Sequence, residues 1–189
     1  DESFPRDLIE SRGYHLETHG QKGFNGVAIA SKLPLHDVVR GLPGDEADEQ
    51  SRWIEASVGD TGLRIVGLYL PNGNPAPGPK FDYKLAWMAR MEVRARDLLA
   101  RETPLVLAGD YNVIPQPADA ARPEAWREDA LFHPESRAAY GRLCRLISAG
   151  RMATPEGEWQ DKGVCQITLA MLADHAAGPC CGSGSARRR

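Results

Sequence analysis

Asp110 and Asn112 stand two residues apart in Ala108-Gly109-Asp110-Tyr111-Asn112, directly after the apolar run Leu105-Val106-Leu107. If that run is a short buried strand ending at Asp110, alternation puts Asp110 and Asn112 on one side, roughly 7 Å apart, and Gly109 lets another backbone or a substrate come close. A carboxylate and a carboxamide so placed suit a phosphodiester. Asp110 can hold or deprotonate an attacking water, Asn112 can donate to that water or to a phosphate, and either can reach a hard cation. The same composition also suits a strand end whose Asp and Asn only cap a turn.

A second group, Tyr69-Leu70-Pro71-Asn72-Gly73, follows another apolar run. Tyr69 could offer its hydroxyl to a phosphate oxygen, and Asn72-Gly73 could turn backbone donors toward the same place. Buried-edge tyrosines and Pro-Asn-Gly turns are also common without any such role. Arg52, Lys80 and Lys84 are cations that could meet backbone phosphates, although scattered surface cations mostly stay solvated. His19, beside Gly20-Gln21-Lys22-Gly23, carries no catalytic signal of its own.

The elements that must position these residues follow from periodicity and punctuation. Phe4 to Arg12 has a short helical stripe of Phe4, Leu8 and Ile9, ended by Gly13. Gly26 to Ser31 reads as a strand between the glycine-containing loop 19–23 and Pro34. Arg52 to Val58 and Leu63 to Leu70 read as strands joined by the hairpin turn Gly59-Asp60-Thr61-Gly62. In the second of them Ile65, Gly67 and Tyr69 face one way and Arg64, Val66 and Leu68 the other, so it belongs in the centre of a sheet covered on both sides. Asp82 to Arg101 places Leu85, Met88, Met91, Leu98 and Leu99 at helical spacing, with Glu92 and Arg96 paired on the wet side. After the strand that ends at Asp110, a helix from about Pro134 to Ser148 has Tyr140, Leu143, Leu146 and Ile147 as its inner stripe. Mixed strands and helices in this order predict an α/β or α+β class.

Composition sets the outer bounds. With 189 residues, 42% hydrophobic and 26% charged, the chain has the make-up of one globular domain, which excludes collagen-like, mucin-like and wholly disordered classes. A net charge of −3 announces no global positive field, so an anionic substrate must be met locally. Residues 51–100, at +2 against −5 for residues 1–50, are where that would happen. Four cysteines, Cys144, Cys165, Cys180 and Cys181, form no C-x-x-C pair and match no histidine spacing, so neither a zinc site nor a disulfide framework is predicted. No apolar run reaches the roughly 18 residues of a membrane span, and the acidic start lacks the regions of a signal peptide. The expectation is a cytoplasmic protein without membrane partners, and residue 1 reads as a cut inside a longer chain.

Taken in order, these motifs resemble a known family. His19-Gly20-Gln21-Lys22-Gly23-x-x-Gly26-Val27-Ala28, then Leu42-Pro43-Gly44-Asp45-Glu46, Gln50-x-Arg52, Tyr69-x-Pro71-x-Gly73, Lys80-Phe81 and Gly109-Asp110-x-Asn112 are similar to the exodeoxyribonuclease III group of the endonuclease/exonuclease/phosphatase superfamily. The likeness runs from about residue 3 to residue 150. It implies a partial four-layered αββα sandwich with the site at one rim, and a magnesium-dependent DNA-repair phosphodiesterase acting as 3′ to 5′ exodeoxyribonuclease and abasic-site endonuclease. By the same resemblance Tyr69 sits beside the scissile phosphate, Asp110 activates the water, and Asn112 orients it; Asp110 and Asn112 are the metal-binding candidates for Mg2+, or Mn2+ in its place. Arg52, Lys80, Gln21 and Asn72 are the expected substrate contacts, and the partner is double-stranded DNA with abasic sites or 3′ ends, met by a full-length monomer.

The chain also departs from that pattern. An early asparagine strand and a Leu-Gln-Glu strand, whose glutamate is the principal metal ligand of the family, have no counterpart, and neither do the later Trp-Asp-Tyr and Ser-Asp-His-x-Pro stretches. Leu172-Ala173-Asp174-His175-Ala176 looks like the closing motif but lacks its serine and proline and comes too early. Residues 151–189 are therefore expected to be a divergent tail, disordered or frame-shifted, beyond an incomplete domain at 1–150. An inactive fragment, another superfamily phosphodiesterase acting on lipid or RNA, and a non-catalytic DNA-binding or scaffold remnant stay open as alternatives.

Overall fold

A computed structural model describes residues 4–149 and 164–168. The elements run α1 (Arg6–Glu10), β1 (His15–Gly20), β2 (Gly26–Ser31), β3 (Leu35–Arg40), β4 (Trp53–Val58), β5 (Arg64–Tyr69), α2 (Pro79–Leu99), β6 (Leu105–Asp110), α3 (Pro134–Ala149) and β7 (Val164–Thr168). Strands β1 and β2 form an antiparallel pair, and the other five form a mixed sheet in the order β3-β4-β5-β6-β7. Strand β5 is central, as its two apolar faces predict. It pairs antiparallel with β4 across the Gly59–Gly62 turn and parallel with β6, and α2 makes the crossover that a parallel pair requires.

Alternation sorts the two faces of this sheet. Trp53, Val66, Leu68, Leu70, Leu105 and Leu107 pack toward the helices, against Trp87, Met88, Met91, Ala95 and Leu98 of α2 and Tyr140, Leu143 and Ile147 of α3. Ile54, Ala56 and Ile65 face the other way, against Val27 and Ile29 of β2. Gly67 marks where the sheets come closest: a Cβ there would lie 3.1 Å from Ile54 Cγ2 and 3.7 Å from the Ala28 carbonyl oxygen. Helix α1 lies against β1, with the Arg6 guanidinium donating to the Leu16 carbonyl and the Thr18 hydroxyl. Helix pair, five-stranded sheet, two-stranded sheet and short α1 together give the expected αββα layering in part.

A buried ion-pair cluster sits inside the helix-facing core. Glu55, fully buried, accepts from Trp53 Nε1 at 2.9 Å, from Arg64 Nη2 at 2.7 Å and from Arg94 Nε at 2.7 Å. Burial works to raise its carboxyl, but the hydrogen bonds from Arg94, Arg64 and Trp53 outweigh it and hold the group below the usual range. These contacts tie α2 to β4 and β5.

Several sequence expectations shift. Strands β1 and β3 carry too few apolar residues in alternation to be read from sequence, and His19 and Gly20 belong to β1 rather than to the following loop. Helix α1 spans only Arg6–Glu10, and α2 begins at Pro79, whose fixed φ suits a first helical turn. Within the segment expected to be divergent, Val164–Thr168 adds a parallel strand beside β6. The Asp174-His175 pair and the Cys180-Cys181 pair lie outside the described residues.

Candidate active site

The site begins at the carboxyl ends of β5 and β6, where ligands of open α/β sheets are commonly met. Tyr69 and Asp110 are register partners of the parallel pair, and each continues the face that carries Ile65 and Gly67, toward the β1–β2 pair. Gly109 makes this approach possible. Its φ is +146°, and a Cβ there would stand 1.9 Å from the Leu68 carbonyl oxygen. Tyr111, on the opposite face, is buried edge-on against Tyr140 of α3 with ring centroids 5.6 Å apart. That anchor turns its neighbour Asp110 to the rim.

Strand alternation does not carry on to Asn112, because β6 stops at Asp110. Instead the Asn112 amide N–H donates to Asp110 Oδ1 at 2.8 Å, and Asn112 adopts a φ of +45°. This Asx turn is the short-range bond that Asp and Asn favour at strand ends. Asn112 Nδ2 donates to the Leu70 carbonyl at 2.7 Å, leaving the carboxamide oxygen clear of that bond. Burial pushes the Asp110 carboxyl up, while the Asn112 N–H and the charge of Lys84 pull it back.

Arg52 covers Tyr69. Its guanidinium carbon lies 5.0 Å from the ring centroid, a cation–π distance. Nη1 donates to the Tyr69 carbonyl at 3.2 Å, and Nε to Gln50 Oε1 at 2.6 Å. Partial burial lowers the Arg52 pKa, and the nearby Tyr83, Tyr69 and Asp48 oppose that. Behind Arg52, Asp48 accepts from the Tyr83 hydroxyl at 2.9 Å and pairs with Arg90. Gln21 Oε1 accepts from Ser51 N–H at 2.7 Å, and Asn25 reaches Gln50, so the loop between β1 and β2 is joined to the segment that presents Arg52.

Of the candidate residues, Tyr69, Asp110, Asn112 and Arg52 are brought together, and Gln21 adjoins them with its carboxamide oxygen committed to the backbone. Asn72 is exposed and caps its own turn, accepting from Asn74 N–H at 3.1 Å. Lys80 is exposed on the first turn of α2. Lys84 is not the surface cation that its charge suggested. It is fully buried, and its ammonium donates to the Asn72 carbonyl at 3.0 Å and the Asn112 carbonyl at 2.6 Å. The signal for this was present in its spacing: Phe81, Lys84, Met88 and Met91 share one face of α2.

A cation at this site would find two hard oxygen donors, the Asp110 carboxylate and the Asn112 carboxamide. Among the described residues no group of three His, Cys, Asp or Glu side chains is placed to hold a metal. One carboxylate beside a carboxamide is within what Mg2+ accepts from a protein, since that ion keeps much of its hydration. Among the described residues no helix is long and apolar enough to cross a membrane.

Fold and site together define an α/β sandwich that sets a carboxylate, a carboxamide and an arginine-covered tyrosine on one sheet rim. Residues 2–175 match the Endonuclease/Exonuclease/phosphatase family, and the chain belongs to it. The match extends beyond the motif likeness, which ends near residue 150. Exodeoxyribonuclease III of Haemophilus influenzae is 34% identical over 152 residues, 76% of this chain and 57% of that protein. The structure of the 3′ phosphatase NExo from Neisseria, bound to a product DNA hairpin, superposes with a TM-score of 0.72 at 37% identity, covering 77% of this chain and 56% of that one. An AP endonuclease from Archaeoglobus fulgidus gives 0.71 at 34% identity, covering 77% of this chain and 56% of its own. The chain thus spans about half the length of the relatives it matches.

Proposed function

We propose that this site is the phosphodiester-cleaving site of a DNA-repair nuclease, acting at abasic sites and 3′ ends of double-stranded DNA. The observation that carries the reading is the register pairing of Tyr69 with Asp110 at the ends of parallel strands, with Arg52 stacked on Tyr69 and Asn112 locked to Asp110. The names of the relatives support the same substrate class.

In this reading Asp110 takes the proton of an attacking water, whose oxygen forms the new bond to phosphorus as the bond to the 3′-oxygen breaks; the leaving oxygen takes its proton from solvent. Asn112 holds the water or a non-bridging oxygen through its carboxamide. Tyr69 donates its hydroxyl to a phosphate oxygen, and Arg52 supplies positive charge beside it. Lys80 and the Gln21–Asn72 side of the rim meet the flanking backbone, where contacts position rather than specify. Asp110 and Asn112 would hold Mg2+, or Mn2+, which when bound neutralises phosphate charge and stabilises the leaving oxygen.

The test compares an abasic duplex, a duplex with a recessed 3′ end and a lipid phosphodiester, each with magnesium and with a chelator. Magnesium-dependent cleavage confined to the two DNAs is the expected result. Cleavage of the lipid alone moves the site to another branch of the family, and DNA binding without cleavage leaves a scaffold.

A further inference from the structure

Lys84 has no role in the chemistry just described, yet it is fully buried beside it. Buried lysines are rare, and an ammonium taken out of water is costly unless it is bonded. Its helix neighbours on the same face, Phe81 and Met88, are apolar, so packing alone gives no reason for an ammonium here. Nor does a direct ion pair: Asp129 and Asp110 act on it only as charges at a distance, and the groups at bonding distance are two carbonyls.

Those carbonyls belong to different loops. Asn72 follows β5 and Asn112 follows β6, the two strands that carry Tyr69 and Asp110. Gly73 lies against the lysine stem so closely that a Cβ would stand 2.6 Å from Lys84 Cδ. Beside it Asn74 donates to Asp129 Oδ2 at 2.9 Å and accepts from Ala130 N–H at 2.9 Å, extending the tie to the segment before α3. Asn112 is consequently held at three points, by its N–H, its Nδ2 and its carbonyl, in a left-handed backbone conformation with φ of +45° that asparagine tolerates better than most residues.

We infer that Lys84 is the positioning residue of the site: its ammonium bridges the Asn72 and Asn112 carbonyls and so fixes the loop after β5 against the loop after β6, setting where Asp110 and Asn112 stand. Its kinetic consequence rests on the proposed phosphodiesterase function; the structural consequence does not.

The experiment is Lys84→Met, with Lys84→Gln as a partial replacement that keeps a donor. Amide hydrogen exchange is followed at residues 73–74 and 112–114, and cleavage of an abasic duplex in magnesium is followed alongside. Exchange in both loops accelerates in Lys84→Met while the central strands keep their protection. The turnover number falls by about 100-fold with KM little changed, the loss expected for a misplacement of about 1 Å, and Lys84→Gln recovers part of it. Urea unfolding stays cooperative in both variants, so exchange and turnover are read on folded protein, with a lowered midpoint in Lys84→Met because two carbonyls lose their donor. Unchanged exchange in both loops overturns the inference, as does an unchanged turnover number in a cleaving protein. If the wild-type chain cleaves no DNA, the proposed function fails by itself, and loop exchange still decides whether Lys84 is the clamp.

Discussion

Replacing Gly109 by alanine places a methyl carbon 1.9 Å from the Leu68 carbonyl oxygen and 2.8 Å from its carbonyl carbon, whereas real Cβ contacts essentially never fall below 3.0 Å. The obstacle is backbone of the central strand, so no side chain can swing away. Relief requires β5 and β6 to part by more than 1 Å at the position that precedes Asp110. Overpacking of this kind costs about 1–3 kcal/mol, and a φ of +146° adds about 1–3 kcal/mol for a residue with a Cβ. The sum, about 2–6 kcal/mol, is a large share of the stability of a domain this size. Gly141→Ala is the control, because its Cβ meets only the mobile end of Arg145 at 3.4 Å and alanine favours the helix by about 1 kcal/mol. Urea unfolding of both variants reads the difference: Gly109→Ala falls well below wild type and Gly141→Ala equals or exceeds it. A Gly109→Ala midpoint within error of wild type, with an unchanged m-value, would refute the close approach of β6 to β5 on which the site is built.

Two further outcomes follow from the same geometry. Glu55→Gln leaves Arg64 and Arg94 without their buried carboxylate and lowers stability by about 3 kcal/mol at neutral pH. Because the folded carboxyl is held below its usual value, its contribution is present above the unfolded pKa and is lost as pH falls through the folded one. Thermal unfolding from pH 7 to pH 3 should therefore show a smaller acid loss in Glu55→Gln than in wild type. Arg52→Ala removes the cation stacked on Tyr69 and the bond to its carbonyl; weaker DNA binding with a reduced salt dependence is expected, measured as the slope of affinity against salt. An unaltered slope would remove Arg52 from the phosphate-binding set.

Much of the scaffold was legible because it is apolar in the right period. Strands β2, β4, β5 and β6 and the inner faces of α2 and α3 follow from alternation or helical spacing. Strands β1 and β3 were not legible, since His15–Gly20 and Leu35–Arg40 bring only a few apolar residues to the core, Leu16, Leu35 and Val38 among them, and depend also on pairing and on arginine bonds such as Arg40 to the Thr18 carbonyl. The rim was visible as Gly109-Asp110-x-Asn112 and Tyr69, but sequence alone joined them only through resemblance. Their contact depends on parallel register, which no local pattern encodes. Lys84 reads as a surface cation because lysine ordinarily is one, whereas its helical position beside Phe81 and Met88 is the better guide to its burial.

The central claim is that Asp110 serves a DNA phosphodiesterase site, and Asp110→Asn tests it most directly. The substitution keeps shape and an acceptor for the Asn112 N–H but removes the base, whose loss costs about 100- to 10,000-fold in rate. With abasic duplex DNA and magnesium, the account predicts cleavage by the wild-type chain and a drop of that size in Asp110→Asn, with the unfolding midpoint no lower than wild type. Equal cleavage by the two proteins, or DNA bound by wild type and never cut, would contradict it.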